Sequence, residues 1–189
     1  MKAVLATAAL ACMMLAGCGG SDESEPETSA PADFEAPEGV ELTAGGTTLE
    51  LGESGTVVLD LGGGAASAAT VEVTKATKGK IKDFRFFSLD AETKKSTPYY
   101  VRATVTNEGP AGLGGVSLPL LAHTDADTVY PASELVGEFK PCPDATTPKS
   151  FLAGKSATVC LIYFVPEGEK LQTLDLQPGE PSDAIRWTP

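Results

Sequence analysis

Histidine is almost missing from this chain: His123 is the only one in 189 residues. A Ser/His/Asp arrangement would have to use that one ring, and there is no Gly-x-Ser-x-Gly elbow to carry a nucleophile. Methionine is confined to Met1, Met13 and Met14, so a copper-chaperone role, which calls for Met and His ligands, finds no Met in the folded part. Positive charge is scarce too: 14 Lys and Arg stand against 26 Asp and Glu, a net of −12. That balance argues against a nucleic-acid binder, which needs a basic face for phosphates. Helix is disfavoured by 20 Gly and 14 Pro, which would break any coiled coil. One Trp, four Tyr and seven Phe suit a modest all-β or mixed domain.

No long hydrophobic run occurs either. The apolar stretch from Ala3 to Gly17 follows Lys2 and is uncharged, but it falls short of the ~20 residues that span a bilayer. It matches the apolar core of a secretory signal. Its last residues with the following cysteine, Leu15-Ala16-Gly17-Cys18, resemble the bacterial lipobox, in which small residues precede a Cys that is lipidated and becomes the mature N-terminus. The resemblance implies a signal peptide over 1–17, at least two acyl chains on Cys18, and a membrane-anchored, extracytoplasmic lipoprotein. Two chains anchor stably where one would not, since each buried methylene contributes ~0.8 kcal/mol. The competing reading is an ordinary cleaved signal in which Cys18 is incidental.

From Gly19 to Glu41 there are eight acidic residues and no basic one, with Pro26, Pro31 and Pro37 among them. Such a stretch cannot bury enough apolar area to offset its ordering entropy, so 18–41 is expected to be a lipidated Cys followed by an extended, disordered tether. An acidic strip that binds Ca²⁺ or docks a partner is the alternative. The remainder, 42–189, keeps 18 acidic and 13 basic residues. Seven of the basic ones cluster: Lys75, Lys78, Lys80, Lys82, Arg85, Lys94 and Lys95. They read either as a contact for an anionic surface, such as a wall polymer, phospholipid headgroups or the chain's own acidic tether, or as a solvated strand edge that resists edge-to-edge pairing.

Residues 42–189 are rich in Thr and Val, punctuated by Gly and Pro, and show no sustained 3.6-residue period. Strands are expected near 55–61, 69–76, 80–87, 98–107, 115–123, 128–131, 156–165, 170–176 and 184–188. Val101, Ala103 and Val105 alternate with Arg102, Thr104 and Thr106, the pattern of a sheet with one face in the core. Asn107-Glu108-Gly109-Pro110 reads as the turn that follows. Thr158–Val165 is apolar almost throughout and is expected to be a central strand. Seven to nine short strands with frequent turn signals point to an all-β fold, an antiparallel β-sandwich.

Several of these segments come in a suggestive order: Leu51-Gly52-Glu53, Val105-Thr106-Asn107-Glu108-Gly109, Asp125-Ala126-Asp127 to Tyr130, Gly154-Lys155-Ser156-Ala157-Thr158, and Tyr163-Phe164-Val165-Pro166. Over roughly 50–177 the chain resembles the immunoglobulin-like domain of unknown function common in lipoproteins of Gram-positive bacteria. That resemblance implies an immunoglobulin-like sandwich in an extracytoplasmic setting, and no reaction, cofactor or catalytic residue. The chain departs from antibody domains, because Trp187 is terminal and its cysteines lie too close in sequence for the usual inter-sheet pair.

Cys12 falls in the signal, which leaves Cys142 and Cys160 in the folded part. In an exported protein such a pair is most simply a disulfide, here tying the Pro141-Cys142-Pro143 loop to a strand. A redox or metal dithiol lacks a Cys-x-x-Cys spacing and a neighbouring His. His123, Asp125 and Asp127 would share one face of an extended segment, three candidate ligands for a divalent cation. A hairpin tip is the competing reading of those residues. Gly154-Lys155-Ser156 echoes a phosphate loop, but Lys149 stands where its first Gly belongs. The expectation is therefore a non-enzymatic binding module without a cofactor, whose partner is an envelope protein or anionic wall polymer. A small-ligand or cation-binding lipoprotein is the alternative.

Overall fold

The structure is a computed structural model that describes residues 33–60 and 65–189. The leader, Cys18 and the acidic stretch up to Ala32 lie outside the described residues, as does Gly62-Gly63-Gly64. Residues 33–41 run as irregular chain, with the Val40 N–H donating to the Pro37 carbonyl. The chain meets the domain at Thr43, whose N–H donates to the Thr56 carbonyl at 2.8 Å.

Nine strands follow: β1 (Thr48–Glu50), β2 (Ser54–Asp60), β3 (Ala66–Lys78), β4 (Thr97–Pro110), β5 (Leu120–Thr124), β6 (Val129–Tyr130), β7 (Ser156–Val165), β8 (Leu171–Leu176) and β9 (Ile185–Thr188). Three 3₁₀ turns, Ile81–Phe84, Thr93–Lys95 and Pro181–Asp183, are the helical elements among the described residues. The strands form two sheets, β2-β3-β4-β7 and β1-β9-β8-β5-β6. All pairings are antiparallel except β1 with β9, which is parallel. The fold is an all-β, immunoglobulin-like sandwich.

Alternation builds the core. Val101, Ala103 and Val105 of β4 point inward and are fully buried, beside Val71 and Val73 of β3 and Leu161 and Tyr163 of β7. Leu174, Leu176 and Trp187 meet them from the other sheet. Two polar groups cross between the layers. The Tyr163 hydroxyl donates to the Leu120 carbonyl at 2.7 Å, and burial pushes that phenol's pKa up. The Trp187 indole N–H donates to the Glu53 carbonyl at 2.9 Å. Terminal in sequence, Trp187 is central in the core.

Four sequence expectations need correction. The 80–87 strand does not exist: Ile81, Phe84 and Phe87 recur every third residue, the spacing of a 3₁₀ turn, and Phe84 is buried there. Thr158–Val165 is not central, because β7 is the edge of its sheet. Its outer edge is bonded by loops instead: Cys160 N–H donates to the Asp144 carbonyl, and Ser133 N–H to that of Ile162. Asn107–Pro110 is no turn, since β4 runs to Pro110, with a register shift that sets Ala68 opposite Gly109 and Ala69 opposite Asn107. Only the end of the expected 115–123 strand is one, as β5, and β1 went unforeseen.

Candidate functional site

Outward-facing residues of β4 and β7 would normally meet water. Here Tyr100, Cys160, Ile162 and Phe164 carry a second apolar cluster, closed by Phe84 from the 3₁₀ turn and by Phe139. Phe84 stacks on Phe139 with ring centroids 4.5 Å apart and meets Phe164 edge-on at 4.8 Å. Tyr100 packs at the margin, its hydroxyl donating to Asp83 at 3.1 Å. Burial, then the Asp83 carboxylate, push the Tyr100 pKa up to about 12. This cluster is why β7 is apolar on both faces.

A disulfide fastens the cluster to the sheet. Cys142 and Cys160 are bonded, 18 residues apart, with Cα atoms 5.2 Å apart, and both are buried. It ties the 135–142 loop to β7. Replacing both by Ala is expected to cost about 3 kcal/mol in the chain-entropy picture, hence about 10 °C of Tm. Calorimetry of the variant, with non-reducing peptide mass spectrometry of the parent, checks this. Two free thiols in the exported parent would contradict it.

The cluster leaves clefts at its margin. One, of about 480 Å³, is lined by Phe86, Phe87 and Leu89 on the side of the 3₁₀ turn and by Glu134, Leu135 and Val136 on the other, with Phe164 from β7. A second, of about 330 Å³, lies by the disulfide and shares Ser133, Glu134 and Leu135 with it. Phe86 is 84% and Val136 99% exposed, the two most exposed large apolar side chains among the described residues. The Arg85 guanidinium carbon sits 4.4 Å from the Phe86 ring centroid. Sequence reasoning placed Arg85 in a strand and missed this cleft. The one available signal was Phe84, Phe86 and Phe87 set among charges.

Lys75, Lys78, Lys80, Lys82, Arg85, Lys94 and Lys95 are all exposed. Lys95 pairs with Glu92 at 3.2 Å. β2 pairs with β3 only as far as Glu72, so Lys75 and Lys78 lie on a stretch of β3 whose second edge has no strand partner. Charge there deters strand addition.

The cation-ligand candidates part company. His123 and Asp127 do meet, Nε2 to Oδ1 at 3.1 Å. Asp125 does not join them, because its carboxylate accepts the Lys170 N–H at 2.8 Å. The third partner is Asp175 of β8, 3.1 Å from His123 Nδ1 and 2% exposed. Asp175 also faces Arg186 at 3.4 Å and accepts the Thr173 hydroxyl at 2.5 Å. Both ring nitrogens thus face carboxylates, in a cross-strand polar ladder over β5, β8 and β9. Among the described residues no group of three His, Cys, Asp or Glu side chains is arranged to hold a metal ion.

The architecture defines an immunoglobulin-like β-sandwich with an extra aromatic cluster on one outer face. Among solved structures, the chain is similar to the 1.5 Å crystal structure of MPT63, a secreted protein from Mycobacterium tuberculosis. The TM-score is 0.52 at 16% identity, covering 75% of this chain and 96% of that one, a likeness of fold. No family model matches the sequence, and no curated protein matches it.

Proposed function

We propose that the protein is a lipoprotein anchored through Cys18 on the extracytoplasmic face of the membrane, acting as a non-enzymatic binding module. Its contact surface is the cleft rimmed by Phe86 and Val136, and its partner is an envelope protein. The exposure of those two side chains beside a preformed apolar cleft carries the reading, because exposed apolar patches mark interaction sites. Three observations support an extracytoplasmic setting: the leader ending in Leu15-Ala16-Gly17-Cys18, a disulfide suited to an oxidising compartment, and the secreted neighbour. The lipid on Cys18 is the anchor in this reading; no helix among the described residues is long and apolar enough to cross a membrane.

A photoreactive residue in place of Phe86, in the full-length protein on intact cells, is expected to form a protein adduct. The same residue in place of Leu152, 60% exposed and outside the cleft, is expected to form none. Cys18→Ser is expected to abolish lipid labelling and move the protein from the membrane to the soluble fraction. Unchanged membrane retention defeats the anchor, and equal labelling from both positions defeats the contact surface. The 330 Å³ cleft has the size of a small-ligand site and keeps that second reading alive. It is favoured if the Phe86 position yields no protein adduct while a small molecule co-purifies with the exported chain.

A further inference from the structure

Three clefts adjoin beside the aromatic cluster. The 480 Å³ cleft shares Ser133, Glu134 and Leu135 with the 330 Å³ one, and Thr93 and Phe164 with a third of about 300 Å³. Their charges are almost all of one sign. Glu134, Glu138 and Asp144 line the first, and the middle one has Asp90 on one rim and Glu134 on the other. Glu92 and Glu167 line the third, where Lys95, the one cation in the three linings, pairs with Glu92 at 3.2 Å. Arg85 lies against the Phe86 ring but lines none of the three. Among the described residues no ion pair engages Glu134, Glu138, Asp144 or Glu167. Asp90 accepts the Thr93 N–H at 2.8 Å and the Thr93 hydroxyl at 2.7 Å, bonds that hold its carboxyl below the usual range.

An anionic wall polymer or lipid headgroup meets like charge at this surface, and so does the chain's own acidic stretch up to Glu41. A small ligand would fill one cleft and leave the others empty. An extended peptide reaches further: its same-side side chains recur about every 7 Å, so apolar ones can take the floor while cationic ones meet the rims. Resting on the reading of this surface as the contact site, we infer that its occupant is an extended, cationic segment of an envelope protein. An apolar side chain of that segment lies on Phe87, Leu135 and Phe164, with Lys or Arg on both sides of it facing the carboxylates. The exposed carboxylates select the partner and speed encounter, and the apolar floor holds it.

The test uses the full-length, membrane-anchored protein with the photoreactive residue at position 86, on intact cells, and sequences the linked segment by mass spectrometry. That segment is expected to carry Lys or Arg on both sides of an apolar residue. Glu134→Gln, Glu138→Gln and Glu167→Gln together are expected to lower the adduct yield about tenfold, the sum of three exposed ion pairs. Glu35→Gln, Glu38→Gln and Glu41→Gln remove the same charge outside the clefts and are expected to leave the yield unchanged. All six side chains are exposed, and an unchanged Tm reports that each variant has folded. A neutral or acidic linked segment overturns the inference without needing any of these variants. A yield insensitive to the first triple, or equally lowered by the second, also overturns it, since the attraction would then not come from the clefts. Each of these outcomes leaves the contact surface standing. No protein adduct at position 86 removes both.

Discussion

Asn107→Ala is expected to lower stability by about 4 kcal/mol, roughly 12 °C of Tm, though residue 107 touches neither the cleft nor the disulfide. Asn107 is fully buried, and all four of its side-chain hydrogen-bond positions are used. Its carbonyl oxygen accepts from the Ser67 hydroxyl at 2.7 Å and from the Gly109 N–H at 2.9 Å. Its amide donates to the carbonyls of Ala111 at 2.8 Å and Phe151 at 2.9 Å. Four bonds at about 1 kcal/mol each set the magnitude. Partners that are already shared soften it: Ala111 keeps the Ser67 hydroxyl, and Phe151 keeps the Leu113 N–H. The isosteric Asn107→Asp leaves no void but turns an acceptor oxygen toward two carbonyls, so it should fail as well. Urea denaturation of both variants checks this. A loss under 1 kcal/mol for Asp would show that volume, and not donor geometry, holds the site.

Asn107 also joins two separate sequence motifs. Its N–H donates to the Lys155 carbonyl and its own carbonyl accepts the Gly154 N–H, at 2.9 and 2.7 Å. The Asn-x-Gly end of β4 and the Gly-Lys-Ser segment before β7 are therefore two halves of one hydrogen-bonded joint. Gly109 completes it with φ +98°, a conformation that suits glycine. The order of these motifs along the chain was legible because each is local. Their contact was not, since they stand more than forty residues apart.

The same division runs through the molecule. The alternation in Val101–Val105 placed β4 correctly, because a period of two needs only neighbours. The apolar run of β7 showed that both its faces are covered but not by what. A central position and a second cluster give the same string of residues. For His123, Asp125 and Asp127 the one-face expectation required an extended chain. Instead the turn begins at Asp125, and Asp127 adopts φ +56°. Asp175, the partner that His123 gains, lies 52 residues away and is brought close only by the pairing of β5 with β8. The cleft was least legible, because it combines the 84–90 segment, the 133–136 segment and one residue of β7.

Phe84→Ala is expected to have an effect as large as that of Asn107→Ala but a different distribution. Truncating a buried Phe costs about 3–5 kcal/mol, as lost transfer energy plus the cavity left behind. Phe84 is 1% exposed and touches the rings of Phe87, Tyr100, Phe139 and Phe164, so little can collapse into its place. The cluster it fills is separate from the sandwich core, which keeps Val71, Val105, Leu161 and Trp187 on the other face. Elements outside the main core open locally before the whole domain does. Amide exchange in Phe84→Ala should therefore accelerate over 81–89 and 133–142 while β5 and β8 stay protected. The disulfide still holds Cys142 to β7, so the second loop loosens without leaving. Phe86 and Val136 are carried by these two loops, and a contact that needs both in register should fall with their order. Unchanged exchange in 133–142, or a photo-adduct from position 86 that survives Phe84→Ala at full yield, would show that the rim is held by something other than this cluster.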